Sequence, residues 1–214
     1  MRDPLKVPER GHDAKEAESV LSALRYQSIK HLLDWIFAAL LLIPLLPLLG
    51  LLALLIRLES RGPAIYRQTR VGRDHRHFTI FKFRSMKFDT PTLSTEEMQQ
   101  QTFNPYTRSG PFLRRSNLDE LPQIFNILRG EMSFIGPRPA LPSQSDVNTL
   151  RHRMGVEMAR PGITGLAQVR GRDDLDVATK VFYDAQYCRT MNLKTDLTIL
   201  AHTVVAVLNG RGNK

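Results

Sequence analysis

One run of apolar residues limits the fold of this chain more than any other feature. Trp35 to Ile56 is a stretch of 22 residues without a charge, and Asp34 and Arg57 bracket it. A straight α-helix of that length extends about 33 Å, which matches a bilayer hydrocarbon core of about 30 Å. The run is apolar on every side, and the rest of a 214-residue chain cannot enclose it. The segment is therefore predicted to lie in lipid.

Two prolines, Pro44 and Pro47, lie in the middle of this run. Proline removes an amide donor and clashes with the preceding helical turn, so a helix can bend or end there. Lysine and arginine mark the cytoplasmic side of a membrane segment, and here they occur on both flanks. Two topologies stay open from the residues alone, a re-entrant helix broken at mid-depth and a kinked single span. The flanking basic residues are Arg25 and Lys30 before the run, then Arg57, Arg61, Arg67, Arg70, Arg73 and Arg76.

The charge balance points to a partner rich in phosphate. Thirty Lys and Arg against 21 Asp and Glu leave a net charge of +9, which suits nucleic acid, an anionic membrane or a phosphorylated substrate. No helix-turn-helix, zinc-finger or RNA-binding signature is present, so nucleic acid is not the expected partner. The single cysteine, Cys188, excludes an internal disulfide and is expected to be a buried apolar residue.

The chain divides into a polar and amphipathic lead-in (1–30), the membrane segment (31–58) and a third region (59–214). In the third region, 64–70 and 78–86 alternate in hydrophobicity as strands do. A polar excursion is expected at 87–108. Helices are predicted at 118–129, 143–158, 175–189 and 194–208, and LAQVRG (166–171) is predicted to be a brief strand.

The first candidate site is Asp119-Glu120 in the sequence SNLDELPQ. Either Ser116 caps a helix or the helix begins at Pro122, and both alternatives place the two carboxylates at its positive end. That position favours the ionised form, which can bind a metal ion or attack phosphorus. Acidic residues in a first helical turn also occur for stability alone, and the residues by themselves favour that interpretation.

Four basic residues are further candidates. Arg138 lies between prolines in GPRP, and Arg160 enters the glycine-containing turn RPGITG, so either arginine can bind phosphate. Lys82 and Arg84 are two apart in FKFRSM, so a strand would place both on one face. The six histidines show no zinc-binding spacing, and His75 and His77 are interpreted as surface residues on one strand face.

Four motifs together resemble a known family. YRQTRVG, FKFRSM, LDELPQIFNILRGEMSFIGPRP and RPGITGLAQVRGR occur in the order and at the spacing of the bacterial monotopic phosphoglycosyl transferases, the polyprenyl-phosphate hexose-1-phosphate transferases or bacterial sugar transferases. The resemblance runs from about Lys30 to Gly210, and the third motif is highly specific.

The resemblance implies a helix-rich α/β fold at the bacterial inner (cytoplasmic) membrane. A re-entrant membrane helix, broken at Pro47 with Pro44 as an additional break, would carry a small catalytic domain (59–214) that faces the cytoplasm. This domain would have a short sheet and interfacial amphipathic helices. Two positions depart from the family's pattern: Leu46 stands where a serine is common, and Leu166 where a tryptophan is common.

The resemblance also implies an activity. A hexose 1-phosphate would pass from a UDP-sugar to polyprenyl (undecaprenyl) phosphate through a covalent intermediate on Asp119, with release of UMP. Magnesium would bind at Asp119, and Glu120 would position it or handle a proton. Arg138 and Arg160 would hold phosphates, and Lys82 or Arg84 would approach the nucleotide. The expected partners are these two substrates and membrane lipid, not nucleic acid, and self-association stays open.

Two other classes of function fit part of the same sequence. A basic, non-catalytic scaffold bound to anionic lipid would have the same charge and anchor, but no use for Asp119 beside GPRP. A magnesium-dependent enzyme acting on phospholipid head groups would use the carboxylates without a covalent step.

Overall fold

The computed structural model describes residues 10–88, 90, 105–171 and 174–208. The first nine residues of the chain and most of the predicted excursion at 87–108 lie outside the described residues. Within the described ranges the protein is helix-rich, with one long N-terminal helix and two sheets of two strands each. The predicted combination of helices with short sheets is confirmed.

Helix α1, Arg10–Glu59, is 50 residues long. It joins the lead-in and the apolar segment into one helix, and it ends at neither Pro44 nor Pro47. The part from Arg25 to Glu59 is long and apolar enough to cross a membrane, and only 17% of its most apolar stretch is buried within the protein. So large an exposed apolar surface suits lipid rather than water.

The two predicted strands are present as β1 (Ile65–Val71) and β2 (His77–Phe83), and they pair as an antiparallel hairpin with Tyr66 opposite Lys82. The connection contains a 3-10 turn, Arg73–His75, so His75 does not share a strand face with His77. That expectation was wrong because His75 has a φ of 58°, which takes the chain out of the extended conformation before β2 begins.

The predicted helix at 118–129 is present in two parts. A 3-10 helix, Leu118–Gln123, continues as α3, Ile124–Leu128, and the short helix α2, Gly110–Arg115, precedes both. Ser116 does not cap this helix, because its hydroxyl donates to backbone carbonyls of α2. Asn117, in the left-handed conformation, starts the new helix instead.

A second sheet pairs β3 (Ser133–Ile135) in parallel with β4 (Gly162–Thr164). Between them lie α4, Ser145–Arg153, and a 3-10 helix, Val156–Met158. The prediction of a strand at LAQVRG was wrong, since these residues form α5, Leu166–Arg170. Leu166 and Val169 are three residues apart, which places both on one helical face, where they pack against the core around Tyr187.

Two predicted helices close the described chain, α6 (Val177–Thr190) and α7 (Leu193–Leu208). Cys188 on α6 is partly buried and packs against apolar neighbours, and burial raises the pKa of its thiol to about 12. The expectation of an unreactive cysteine is therefore supported. Helix α7 exposes apolar side chains on its surface, namely Leu193, Leu197, Leu200, Val204, Val205 and Val207.

Helix α1 packs against the rest of the protein along most of its described length. Ala23 belongs to the core around Tyr187, Ala38 to the core under β2, and Ile56 to the core of Phe83 and Leu113. Polar contacts hold both ends of the apolar segment to the same folded unit. They join Lys30 to Asp196 at 2.7 Å, Asp34 to Ser133 at 2.6 Å, and Glu59 to the Ser109 hydroxyl at 2.6 Å.

Candidate active site

Asp119 and Glu120 lie in the first turn of the 3-10 helix that packs beneath β2. Lys82 on β2 donates from Nζ to Glu120 Oε1 over 2.8 Å. Arg138, which follows β3, donates from Nη2 to the same oxygen over 3.2 Å. The structure therefore brings together four of the predicted site residues, from three segments that are distant in sequence.

The two adjacent carboxylates have opposite pKa shifts. Burial and the negative charge of Glu120 raise the pKa of Asp119 to about 6. Burial alone would also raise the pKa of Glu120, but the charges and hydrogen bonds of Arg138 and Lys82 lower it to about 2. Among the described residues, no ion pair or hydrogen bond reaches the Asp119 carboxylate. Glu120 is thus ion-paired with Lys82 and Arg138, whereas the Asp119 carboxylate can react with a substrate or bind a metal ion.

Two further arginines support the loop that carries Arg138. Arg70 on β1 donates from Nη1 to the Pro139 carbonyl over 3.0 Å. Arg151 on α4 donates from Nη1 to the Arg138 carbonyl over 2.8 Å, and the buried carboxylate of Asp184 pairs with Arg151 at 2.6 Å. Because these bonds fix two successive carbonyls, those of Arg138 and Pro139, they help to hold the loop from which the Arg138 side chain reaches Glu120.

The sequence placed Arg70 only among the basic residues that flank the membrane segment, and it assigned no role to Arg151. Arg70 lies within the quoted YRQTRVG motif, which was the available signal for it. Arg151 acts through a backbone carbonyl, and a pattern of side chains gives no sign of such a contact.

The structure places Arg84 elsewhere. It lies just beyond the end of β2, and its guanidinium donates to the backbone carbonyls of Ser60 and Arg61, which follow α1. It also donates to the Ser60 hydroxyl over 2.7 Å, and the residue is only 5% exposed. These contacts give Arg84 a structural task at the end of the membrane helix, away from Glu120.

Arg160 also lies apart from Asp119. Its Nε donates to the Gly130 carbonyl over 3.0 Å, and it lines a cavity with His31 and Asp34 of α1. Burial and the charge of Arg73 lower the pKa of Arg160. The structure therefore does not bring Arg160 and Arg138 together at one carboxylate.

The glycines of GPRP and RPGITG allow two loops to touch through their backbones. A Cβ at Gly162 would lie within 2.1 Å of the Gly136 amide nitrogen, and a Cβ at Gly165 within 2.2 Å of the Gly136 carbonyl oxygen. The amide of Gly162 donates to the Pro137 carbonyl over 2.9 Å. These glycines are required for close packing that sets the direction of the Arg138 loop.

The donor set at Asp119 and Glu120 fits a magnesium ion. Magnesium binds through one or two protein carboxylates and fills its other positions with water and substrate phosphates. The structure shows no ion pair between Asp119 and a cation among the described residues, and the pKa of Asp119 is raised first by burial and then by the negative charge of Glu120, which a divalent ion would offset. Glu120 offers a second carboxylate beside it.

Comparison with known proteins now adds to this geometry. Residues 25–210 match the family described as bacterial sugar transferase, which is most of the chain. The chain belongs to the bacterial sugar transferase family. As a member with an exposed apolar helix, it is a membrane protein, and the resemblance found in its motifs is confirmed.

Several relatives of this sugar transferase have been named by activity. An "undecaprenyl-phosphate glucose phosphotransferase" of Komagataeibacter xylinus is 41% identical over 187 residues, which cover 82% of this chain and 35% of the relative. A "UDP-glucose:undecaprenyl-phosphate glucose-1-phosphate transferase" of Caulobacter vibrioides is 42% identical over 188 residues, 84% of this chain and 69% of the relative. A "UDP-galactose-lipid carrier transferase" of Erwinia amylovora is 38% identical over 177 residues, 74% of this chain and 36% of the relative. The chain thus spans about a third of the length of two of these three proteins.

Proposed function

We propose that this sugar transferase moves a hexose 1-phosphate from a UDP-sugar to undecaprenyl phosphate, at the cytoplasmic face of the bacterial inner membrane. The observation that carries the proposal is the arrangement around Asp119: a half-buried carboxylate with no ion pair among the described residues, beside a carboxylate neutralised by Lys82 and Arg138. The names of the relatives support the two substrate classes. The product would begin the membrane stage of polysaccharide or glycoconjugate assembly.

The reaction takes place in two displacements at one phosphorus. A carboxylate oxygen of Asp119 attacks the phosphorus that bears the sugar; the bond from that phosphorus to the bridging oxygen breaks, and UMP leaves with the electron pair. An oxygen of the lipid phosphate then attacks the same phosphorus and displaces the Asp119 carboxylate. The sugar phosphate ends on the lipid, and Asp119 returns to its starting state.

The basic residues make an anionic nucleophile compatible with an anionic substrate. A diphosphate repels a carboxylate, so positive charge must be in place before attack. Arg138 holds Glu120, and its side chain is 44% exposed, so a substrate phosphate can approach its guanidinium from solvent. Lys82 is more deeply buried than Arg138. Its ion pair with Glu120 keeps the Lys82 ammonium group near Asp119.

Asp119 and Glu120 would hold magnesium, which when bound supplies positive charge next to the diphosphate. Glu120 has a second task, because its lowered pKa keeps it ionised as the fixed counter-charge of Lys82 and Arg138. Because Glu120 is held in ion pairs with Lys82 and Arg138, we assign Asp119 as the nucleophile of the two.

We further propose that α1 enters and leaves the membrane on the same side. Lys30 and Asp34 before the apolar segment, and Glu59 after it, all bond to one folded unit. A helix that crossed the bilayer would hold these ends about 30 Å apart on opposite sides. Helix α1 continues through Pro44 and Pro47 and makes both sets of contacts, and a bend at these prolines would let it do so from one face of the membrane. This arrangement would keep the active site at the depth of the lipid phosphate. The enzyme would then meet its lipid substrate by diffusion along the membrane surface rather than through the cytoplasm.

UMP release tests the proposal. The purified chain in detergent, with magnesium, undecaprenyl phosphate and a panel of UDP-sugars, is expected to release UMP with at least one sugar. Asp119→Asn should lower the rate by about a thousandfold or more, because the amide cannot act as the nucleophile. Asp146→Asn makes the same chemical change in the first turn of α4 and should leave the rate within about twofold.

Two outcomes would contradict the proposal. Near-normal turnover by Asp119→Asn would exclude Asp119 as nucleophile. Absence of UMP release with every sugar, from folded protein, would favour a non-catalytic scaffold instead. Chelation of magnesium should stop release, and release that continues in the chelator would exclude the metal.

A further inference from the structure

A second group of potential ligands shares no residue with the candidate active site. His75 lies in the 3-10 turn between β1 and β2, His152 in the last turn of α4, and Glu157 in the 3-10 helix Val156–Met158. Each offers one ligand atom to a common point. His75 and His152 are 77 residues apart in sequence, so the convergence comes from the fold and not from local spacing.

The distances within this group match the edges of a metal coordination shell. His75 Nε2 lies 3.1 Å from His152 Nδ1 and 3.3 Å from Glu157 Oε2. His152 Nδ1 lies 2.8 Å from Glu157 Oε1 and 2.9 Å from Oε2. Two ligands of a tetrahedral zinc ion, each bonded at about 2.0–2.1 Å, are about 3.3 Å apart. The three groups form a triangle of nearly that size.

Hydrogen bonds explain two sides of the triangle but not the third. Each imidazole nitrogen carries at most one proton, and a carboxylate only accepts. If both nitrogens donate to Glu157, two N–H donors face each other at the observed 3.1 Å. If one nitrogen lacks its proton to accept from the other, its own contact with the carboxylate is left without a proton. A shared cation satisfies all three contacts, because every one of these atoms is then a ligand.

The backbone holds His75 in an uncommon conformation. Asp74 and His75 have φ of 53° and 58°, two successive left-handed residues that are not glycine. The connection is closed by the Gly72 amide, which donates to the Arg76 carbonyl over 2.8 Å. Such conformations are unfavourable and persist where the surrounding structure compensates for them. Coordination of His75 would supply that compensation.

The other two ligands are brought together by a glycine turn. Gly155 has a φ of +70° and ends α4, which lets the chain fold back so that Glu157 meets His152. The side chains of His75 and His152 are 46% and 63% exposed, so an ion can enter from solvent and keep a water as fourth ligand. Two imidazoles with one carboxylate suit zinc and its neighbours in the first transition row, whereas magnesium prefers oxygen ligands alone.

We propose that His75, His152 and Glu157 bind a divalent transition-metal ion of the zinc class, which ties the β1–β2 connection to the end of α4. Arg151, the neighbour of His152, holds the Arg138 carbonyl. The ion would therefore stabilise the part of α4 that supports the active-site loop, and it would be separate from the magnesium proposed at Asp119.

Metal content and cobalt spectroscopy test this proposal on the full chain in detergent, purified without a histidine tag. After chelation and dialysis, the protein is expected to bind one zinc ion per chain, and cobalt should give the strong visible absorption of a four-coordinate site. His75→Asn, His152→Asn and Glu157→Gln should each weaken zinc binding by at least about tenfold. His77→Asn is the matched control, an exposed histidine two residues from His75, and should bind as the wild type does.

Thermal denaturation gives a second measurement. Zinc should raise the Tm of the wild type and of His77→Asn, but not that of His152→Asn. The proposal is overturned if the wild type binds no zinc and shows no cobalt spectrum. It is equally overturned if the ligand variants bind zinc as tightly as the control does, since a hydrogen-bonded cluster would then be the whole explanation.

Discussion

At the scale of single residues, the two neighbouring carboxylates of Asp119 and Glu120 lie in different electrostatic environments. Glu120 receives both Lys82 and Arg138, and Asp119 receives neither as an ion pair among the residues described. The family resemblance, rather than the residues alone, predicted one active site that contains Asp119, Glu120, Arg138, Arg160 and either Lys82 or Arg84. The sequence could not show how the roles of Asp119 and Glu120 differ. That difference depends on which of the two carboxylates pairs with Lys82 and Arg138, and only the fold determines it.

Lys82→Met tests the task of Lys82. The change leaves Glu120 with Arg138 alone, so the unfolding free energy should fall by about 2 kcal/mol and Arg138 should become less available to substrate. UMP release should drop by more than about tenfold, because about 1.4 kcal/mol of lost transition-state stabilisation suffices for that. Lys194→Met, an exposed lysine on α7, is the control. A Lys82→Met variant with normal turnover would show that this lysine has no part in the reaction.

Arg84→Met separates a structural arginine from a substrate-binding one. Since Arg84 donates to the carbonyls of Ser60 and Arg61, its loss should lower the Tm. The KM for the UDP-sugar should not change in the protein that stays folded. A large rise in KM with an unchanged Tm would restore Arg84 as a nucleotide contact.

At the scale of helices and strands, the elements with strong periodicity were predicted and the short ones were not. The β1–β2 hairpin alternates over seven residues in each strand, and α6 and α7 carry apolar faces of several turns. Strands β3 and β4 have only three residues each. These strands pair where glycines allow the loops beside them to pack closely. Each strand depends on a partner that is distant in sequence, so its own residues do not predict it. LAQVRG (166–171) was predicted to be a strand because six residues are too few to show a helical period.

A buried polar network joins α1 to α7, and no sequence motif predicts it. Asp196 on α7 accepts from Lys30 over 2.7 Å, from Tyr26 over 2.8 Å and from Tyr187 over 2.7 Å. Asp196→Asn would leave the buried ammonium of Lys30 with only the more distant Asp34, at 3.6 Å. We expect a loss of about 3 kcal/mol in stability, since an uncompensated buried charge is strongly unfavourable.

Differential scanning of the detergent-purified protein measures this loss. For a chain of this size, about 3 kcal/mol corresponds to a fall in Tm of about 6–12 °C. Asp174→Asn, an exposed aspartate before α6, should shift the Tm by less than about 2 °C. An equal shift in the two variants would mean that the network does not anchor α1.

At the scale of the whole molecule, the proposed same-side topology rests on contacts at both ends of the apolar segment. Single cysteines at Ser28 and Arg61, two exposed positions that flank it, test this in a Cys188→Ala background. In sealed vesicles a membrane-impermeant maleimide should label both positions from the same side. Labelling from opposite sides would establish a simple span and would contradict the same-side contacts.

The most direct measurement is the intact mass of the protein after mixing with magnesium and its UDP-sugar, without the lipid acceptor. We expect an added mass of one sugar phosphate, located by peptide mapping on Asp119, absent from Asp119→Asn, and lost when undecaprenyl phosphate is added. An adduct on another residue, or lipid-linked sugar phosphate formed with no adduct under rapid trapping, would contradict this expectation.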